Sequence, residues 1–187
     1  MIREAPGADA VIDFWLDEVG PDRWYVADEA VDAEARRRFQ SDVKAARGGK
    51  FEKWALTPRG ALALLILLDQ LPRNIWRGEA EAYASDAQAV RHATRSLMLG
   101  HDLKTPEPER QFFYMPLMHA ENLAAQDRCV RLVISRLPEV GAHNLPHAVA
   151  HREIIRKFGR FPYRNRALGR QDTPDEAAWL AAGGYRV

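Results

Sequence analysis

Residues 61–68 read ALALLILL, eight positions without a polar side chain. They follow Thr57-Pro58, a cap residue and a proline at the first helical position. A helix that is apolar on every side has no face for water and must be enclosed by the rest of the chain. The other elements are therefore expected to pack around this one. The run ends in Asp69-Gln70-Leu71 and then Pro72-Arg73-Asn74. An unpaired charge buried there would cost several kcal/mol, so Asp69 is read first as the partner of a nearby arginine and second as a site carboxylate.

The remaining segments repeat at helical spacing, and none alternates over strand length. Ile12, Trp15, Leu16 and Val19 form one stripe, closed by Gly20-Pro21. Trp24 and Tyr25 anchor the loop that follows. A second helix from about residue 32 turns Ala35, Phe39, Val43 and Ala46 inward and Arg36, Arg37 and Asp42 outward. Ser85 with Gln88 has the pattern of a capping box, as does Thr173 with Glu176 behind Pro174. Leu123, Val130, Val133, Ile134 and Leu137 are expected on an inward face, and so are Trp179 and Leu180 in the last helix. Asn144 is expected to cap a helix over residues 145–158 that stops at Gly159. The fold class is all-α, a single domain over residues 1–187 of about eight helices in antiparallel hairpins, stacked as a tetratricopeptide-like α-solenoid. No fixed repeat period supports the last point. One weak echo relates Leu71-Pro72-Arg73-Asn74 to Phe161-Pro162-Tyr163-Arg164-Asn165.

The second echo lies in residues 151–170, HREIIRKFGRFPYRNRALGR, which hold six arginines and one lysine against one acid, Glu153. That segment carries +6 in a chain whose formal charge is only +1. Arginine presents a planar fork suited to carboxylate or phosphate, so the segment is either an anion site or a set of structural pairs with neighbouring helices. The near-neutral total argues against a dedicated nucleic-acid binder, leaving RNA stacking on Phe161 and Tyr163 as a remote reading. Residues 1–10 carry no apolar core of a secretory signal, and the eight-residue run is far short of the ~20 that span a bilayer. A cytoplasmic location is expected, with no membrane partner. Cys129 is the single cysteine and reads as a small buried residue. His147 and His151 share a helix face at i, i+4, but a third ligand is missing, and no metal is expected. No phosphate loop is present and no cofactor is expected.

Three blocks in order resemble one known family: LLDQLPRN at 67–74 with Arg77-Gly78, FFYMPLMHAE at 112–121, and HREII at 151–155 with FGRFP at 158–162. Together with Leu168-Gly169-Arg170 they are similar to the bacterial domain-of-unknown-function 924 family over nearly the whole chain. The resemblance implies a helical, tetratricopeptide-like fold and no established reaction. Against the pattern expected of that family, Tyr163 stands in place of histidine and Ala120 in place of serine. The blocks put Asp69, Arg73, Asn74, Arg77, Tyr114, His119, Glu121, His151, Arg160, Arg164 and Asn165 at helix ends or turns.

Three functions follow as expectations. The first is binding of an anionic small molecule or carboxylate, with Arg73, Arg160 and Arg164 as forks, Asn74 and Asn165 as neutral donors, and Asp69, Arg77 and Tyr114 around them. The second is an enzyme in which His119 or His151 is the general acid/base, oriented by Glu121 or Asp69. The third is a scaffold whose groove takes a protein partner.

Overall fold

The computed structural model describes residues 7–185 of the 187. The expectation about a secretory signal falls partly on residues 1–6, outside the described ones. Thr57 caps α3 (Pro58–Leu65), its side-chain oxygen accepting from the Gly60 N–H at 3.2 Å. The helix continues as a π-helical turn, Ile66–Gln70, and then as α4 (Leu71–Ile75). All eight residues of the apolar run are buried, none exposed beyond 4%. The widening has a local cause. Pro72 has no N–H to give to the carbonyl four residues back, and its ring would clash there. The chain passes this point with an i→i−5 bond from the Leu71 N–H to Ile66 O.

Around this axis lie α1 (Ala8–Ile12), which runs into a π-helical segment at Asp13–Val19, α2 (Glu29–Arg47), α5 (Asp86–Met98), α6 (Met115–Met118), α7 (Leu123–Arg136), α8 (Gly141–Phe158) and α9 (Pro174–Ala181). Among the described residues these make eight continuous helical segments and no strand, so the fold is all-α. Helix α1 packs on α3, α2 on α4, and α5 on α3, which encloses the apolar run. Helices α7 and α8 form an antiparallel hairpin, with Asp127 near Arg152 and Val133 near Gly141. No helix among the described residues is long and apolar enough to cross a membrane.

Several details depart from the sequence reading. Helix α2 starts three residues earlier because the Asp28 carboxylate accepts from the Ala30 and Val31 N–H groups. Asp42 is buried. Helix α8 begins at Gly141, whose missing Cβ lets the backbone lie against Val133 O; Asn144 sits inside the helix and donates to Val140 O at 3.1 Å. Ser85 makes no side-chain cap, and Gln88 reaches across to Ala46 O. Leu123 and Ile134 are exposed. In α9 the capping box forms, but Glu176 is buried there while Trp179 and Leu180 are only half-buried. An amphipathic stripe gives a face; which residues at its margins are covered depends on the neighbour's shape.

Gly60 is where the Glu52–Leu56 turn meets α3: a Cβ there would lie 2.3 Å from Trp54 O, a backbone atom. Gly60→Ala should cost about 1–3 kcal/mol and lower Tm by roughly 3–10 °C in a domain of this size, read by circular dichroism against wild type.

Candidate functional site

The π-helical turn delivers Asp69 into the interior at 1% exposure. Three side chains meet it. His119 Nδ1 lies 2.9 Å from both carboxylate oxygens, Gln70 donates to Oδ2 at 2.6 Å, and Arg73 Nη1 lies 3.3 Å from Oδ1. Arg73 also donates to the Asp69 carbonyl. Its other nitrogen reaches Asp86, the first residue of α5, at 3.0 and 3.1 Å. Arg164 comes to the same carboxylate at 3.0 Å from the turn Pro162–Arg164. The two arginines of the sequence echo therefore converge on one acid. The guanidinium of Arg164 lies over Phe161 and Tyr83, 4.4 and 4.6 Å from the ring centres.

His119 follows α6 in a tight turn whose two flanking carbonyls, Met118 O and Ala120 O, are both held by the fully buried Gln126 of α7. That turn brings His119 to His151 of α8, with ring centres 6.3 Å apart. Nδ1 of His151 lies 2.8 Å from the His147 carbonyl. A carbonyl only accepts, so Nδ1 carries the proton. The Asp69 carboxylate gives His119 the same tautomer. Each ring therefore keeps Nε2 as its free edge.

Electrostatics agree with this arrangement. Burial opposes ionisation of Asp69, but Arg73 and His119 outweigh it and hold its carboxyl at about 2. Burial, and then Arg73, lower His119, with Asp69 pulling only partly the other way. Burial, and then His119, push His151 down to about 3. Both rings are neutral at pH 7.

The two histidines line a cavity of about 410 Å³. Met115, Met118 and Val26 supply apolar surface, Tyr25 and Tyr185 aromatic rings, and His143 and His147 two further imidazoles. His143, His147 and His151 stand one turn apart on α8. The i, i+4, i+8 spacing was present in the sequence as their signal. Asp22 is the acidic residue of the lining, and Asn144 adds an amide. A second cavity of about 530 Å³, lined by Tyr83, Asp86, Glu121 and Arg164 among others, meets the same His119. Among the described residues no group of three or more His, Cys, Asp or Glu is placed to hold a metal ion.

Other expected site residues sit elsewhere. Asn74 and Arg77 bind Asp32 of α2 at 2.7–2.8 Å. Tyr114 is buried against Asp102, which also takes Arg136. Arg160 forks onto Glu176 at 2.6 and 2.7 Å, and Asn165 donates to Asp172 at 2.7 Å. Glu121 does not orient His119: it accepts from Arg170 at 2.7 and 2.9 Å and from the Phe161 N–H at 2.8 Å, tying the basic segment to the His119 turn. Tyr25 was read only as an anchor of its loop; Asp86, Gln126 and Tyr185 were not anticipated. Nothing local marks them, since their role comes from what they meet across the fold. Cys129 is buried and burial alone raises its thiol to about 12, as a structural cysteine should be.

The histidines couple the site to stability. His151 is disfavoured as a cation in the folded chain but titrates near 6.5 when unfolded. Stability is thus complete above about pH 7 and falls as pH drops from 6.5 toward about 3. His151→Gln should flatten the acid side of a Tm-against-pH curve. In wild type at pH 5, ¹⁵N spectra should show the His151 ring neutral with its proton on Nδ1.

A family model described as a bacterial protein of unknown function (DUF924) matches residues 11–184. A solved protein of unknown function from Agrobacterium tumefaciens is 41% identical, with a TM-score of 0.87, over 94% of this chain and 97% of that one. No curated protein matches.

Proposed function

The chain belongs to the bacterial DUF924 family of unknown function, and for this member we propose binding of a small molecule in the histidine-lined cavity, with His119 exchanging a proton with it. The observation that carries this reading is the 2.9 Å contact of His119 Nδ1 with both oxygens of a buried carboxylate, on a ring that borders the cavity. Asp69 fixes the tautomer and would stabilise the imidazolium formed when Nε2 takes a proton; the proton then returns to the product. His151 supplies a second neutral acceptor beside it, and Gln126 keeps the His119 turn in place. A buried, hydrogen-bonded Asp-His pair also has a purely structural use, and what favours chemistry here is its position on a cavity rather than in sealed core.

Gripping an anion through Arg73, Arg160 and Arg164 has less support. Their forks are engaged by Asp69, Asp86 and Glu176. An incoming anion would have to displace a carboxylate already in place.

The reading is tested by incubating the protein in D₂O with pooled small metabolites and following loss of ¹H signals. Exchange of a carbon-bound hydrogen catalysed by wild type and reduced at least about 100-fold by His119→Gln is expected, the usual scale for a general base. Asp69→Asn should reduce it too, through the wrong tautomer. Equal exchange in wild type and His119→Gln, both folded, would remove the proposal.

A further inference from the structure

The polarity of the cavity is narrower than its residue list. Four polar groups of the lining each give a proton to the protein. His119 gives Nδ1–H to Asp69, and His151 gives Nδ1–H to His147 O. The Tyr25 hydroxyl contacts Gln111 Oε1 at 2.6 Å, and Gln111 donates its own amide to Pro108 O, so the phenol is the donor. Asn144 turns an amide hydrogen to Val140 O. Among the described residues neither His119 Nε2 nor His151 Nε2 has a hydrogen-bond partner, and the rings that carry them border open volume. The charged group of the lining, Asp22, accepts only. Two lone pairs, those of His119 Nε2 and His151 Nε2, are therefore unanswered on rings that line the cavity beside methionine, valine and aromatic carbon. His143, the His147–Tyr185 pair and the second Asn144 amide hydrogen keep donors elsewhere in the lining.

We infer that this cavity takes a neutral, largely apolar molecule bearing one or two hydroxyl groups, of phenol or alcohol type, whose O–H protons meet the two Nε2 atoms. Between His119 and His151 an anion would set its own lone pairs against the two Nε2 atoms, and it would bring a second negative charge toward Asp22. A buried ammonium would lose its hydration over apolar walls, answered there by two neutral acceptors and by Asp22 only at the exposed rim. A hydroxyl supplies the missing donor at the least desolvation cost. A phenol already pairs with an imidazole at the edge of the same cavity, Tyr185 Oη lying 2.5 Å from His147 Nδ1, with the donor set by the His147 tautomer. The inference rests on the small-molecule reading above and adds the ligand's chemical class.

The test uses the unmodified full chain with ¹⁵N-labelled histidine at pH 7.5, titrated separately with resorcinol, 1,3-dimethoxybenzene, benzoate and benzylamine. Resorcinol should shift the Nε2 resonances of His119 and His151 and bind at least about tenfold more tightly than its dimethyl ether, the value of one to two hydrogen bonds. Benzoate should leave both resonances in place. Equal affinity of resorcinol and the ether would overturn the donor requirement. Tighter binding of benzoate or benzylamine would replace the class while leaving the cavity as a ligand site. Silence of both histidines to all four probes would remove the class and the cavity reading together.

Discussion

A carboxylate at the end of an entirely apolar helix has to be answered by the rest of the fold. Asp69 is carried to that position by the run at 61–68 and is almost wholly buried there. Its charge survives because Arg73 follows at i+4 and His119 arrives from fifty residues away. Arg73 is in turn balanced by Asp86, and Asp86 by Arg164. One buried charge thus commits α3, α5, the α6–α7 turn and the segment after α8 to meet at one place. Removing a member strands the others, which costs more than the chain of pairs contributes while complete.

The basic segment takes its meaning from this. Its charge is answered by acids from distant elements: Arg160 by Glu176 of α9, Arg164 by Asp86 of α5, Arg170 by Glu121 beside His119. These are partly or wholly buried contacts, two-point at Arg160–Glu176 and Arg170–Glu121 and single at Arg164–Asp86, and they fasten the segment after α8 to the rest of the helical body. The concentration of arginine that looks like a binding surface in one dimension is a set of clamps in three. On the other side of His119 lies the cavity to which the proposed binding is assigned, where His119 and His151 are neutral and methionine and aromatic carbon form most of the wall. A π-helical turn before Pro72 sits at the root of this arrangement, where a helix is least regular and its carbonyls are free for a side chain to take.

Much of the fold was legible along the chain because it rests on local rules. Thr57-Pro58, Thr173-Pro174 with Glu176, and Gly159 at the end of α8 each specify a helix boundary through one or two bonds, and each is found. The apolar run declared its own enclosure. Where reading failed, a distant group had intervened. Asp42 and Glu176 are polar residues covered by neighbours, and Ile134 is an apolar residue that no neighbour covers.

For the candidate site the division is sharper. Composition and order along the chain placed Asp69 at the end of a buried helix and left it as the partner of an arginine first and a site carboxylate second, because burial of a continuous apolar helix does not depend on what encloses it. They also put His119 and His151 in view. They did not settle that Asp69 rather than Glu121 would hold His119, since both acids are polar residues near helix ends and only the packing of α6 against α5, α7 and α8 selects between them. Nor did they determine which arginines stay available, because a guanidinium is a binding group or a structural one according to whether a carboxylate stands within about 3 Å of it. That distance belongs to the tertiary structure, in which residues 69, 86, 119 and 164 become neighbours although the chain separates them.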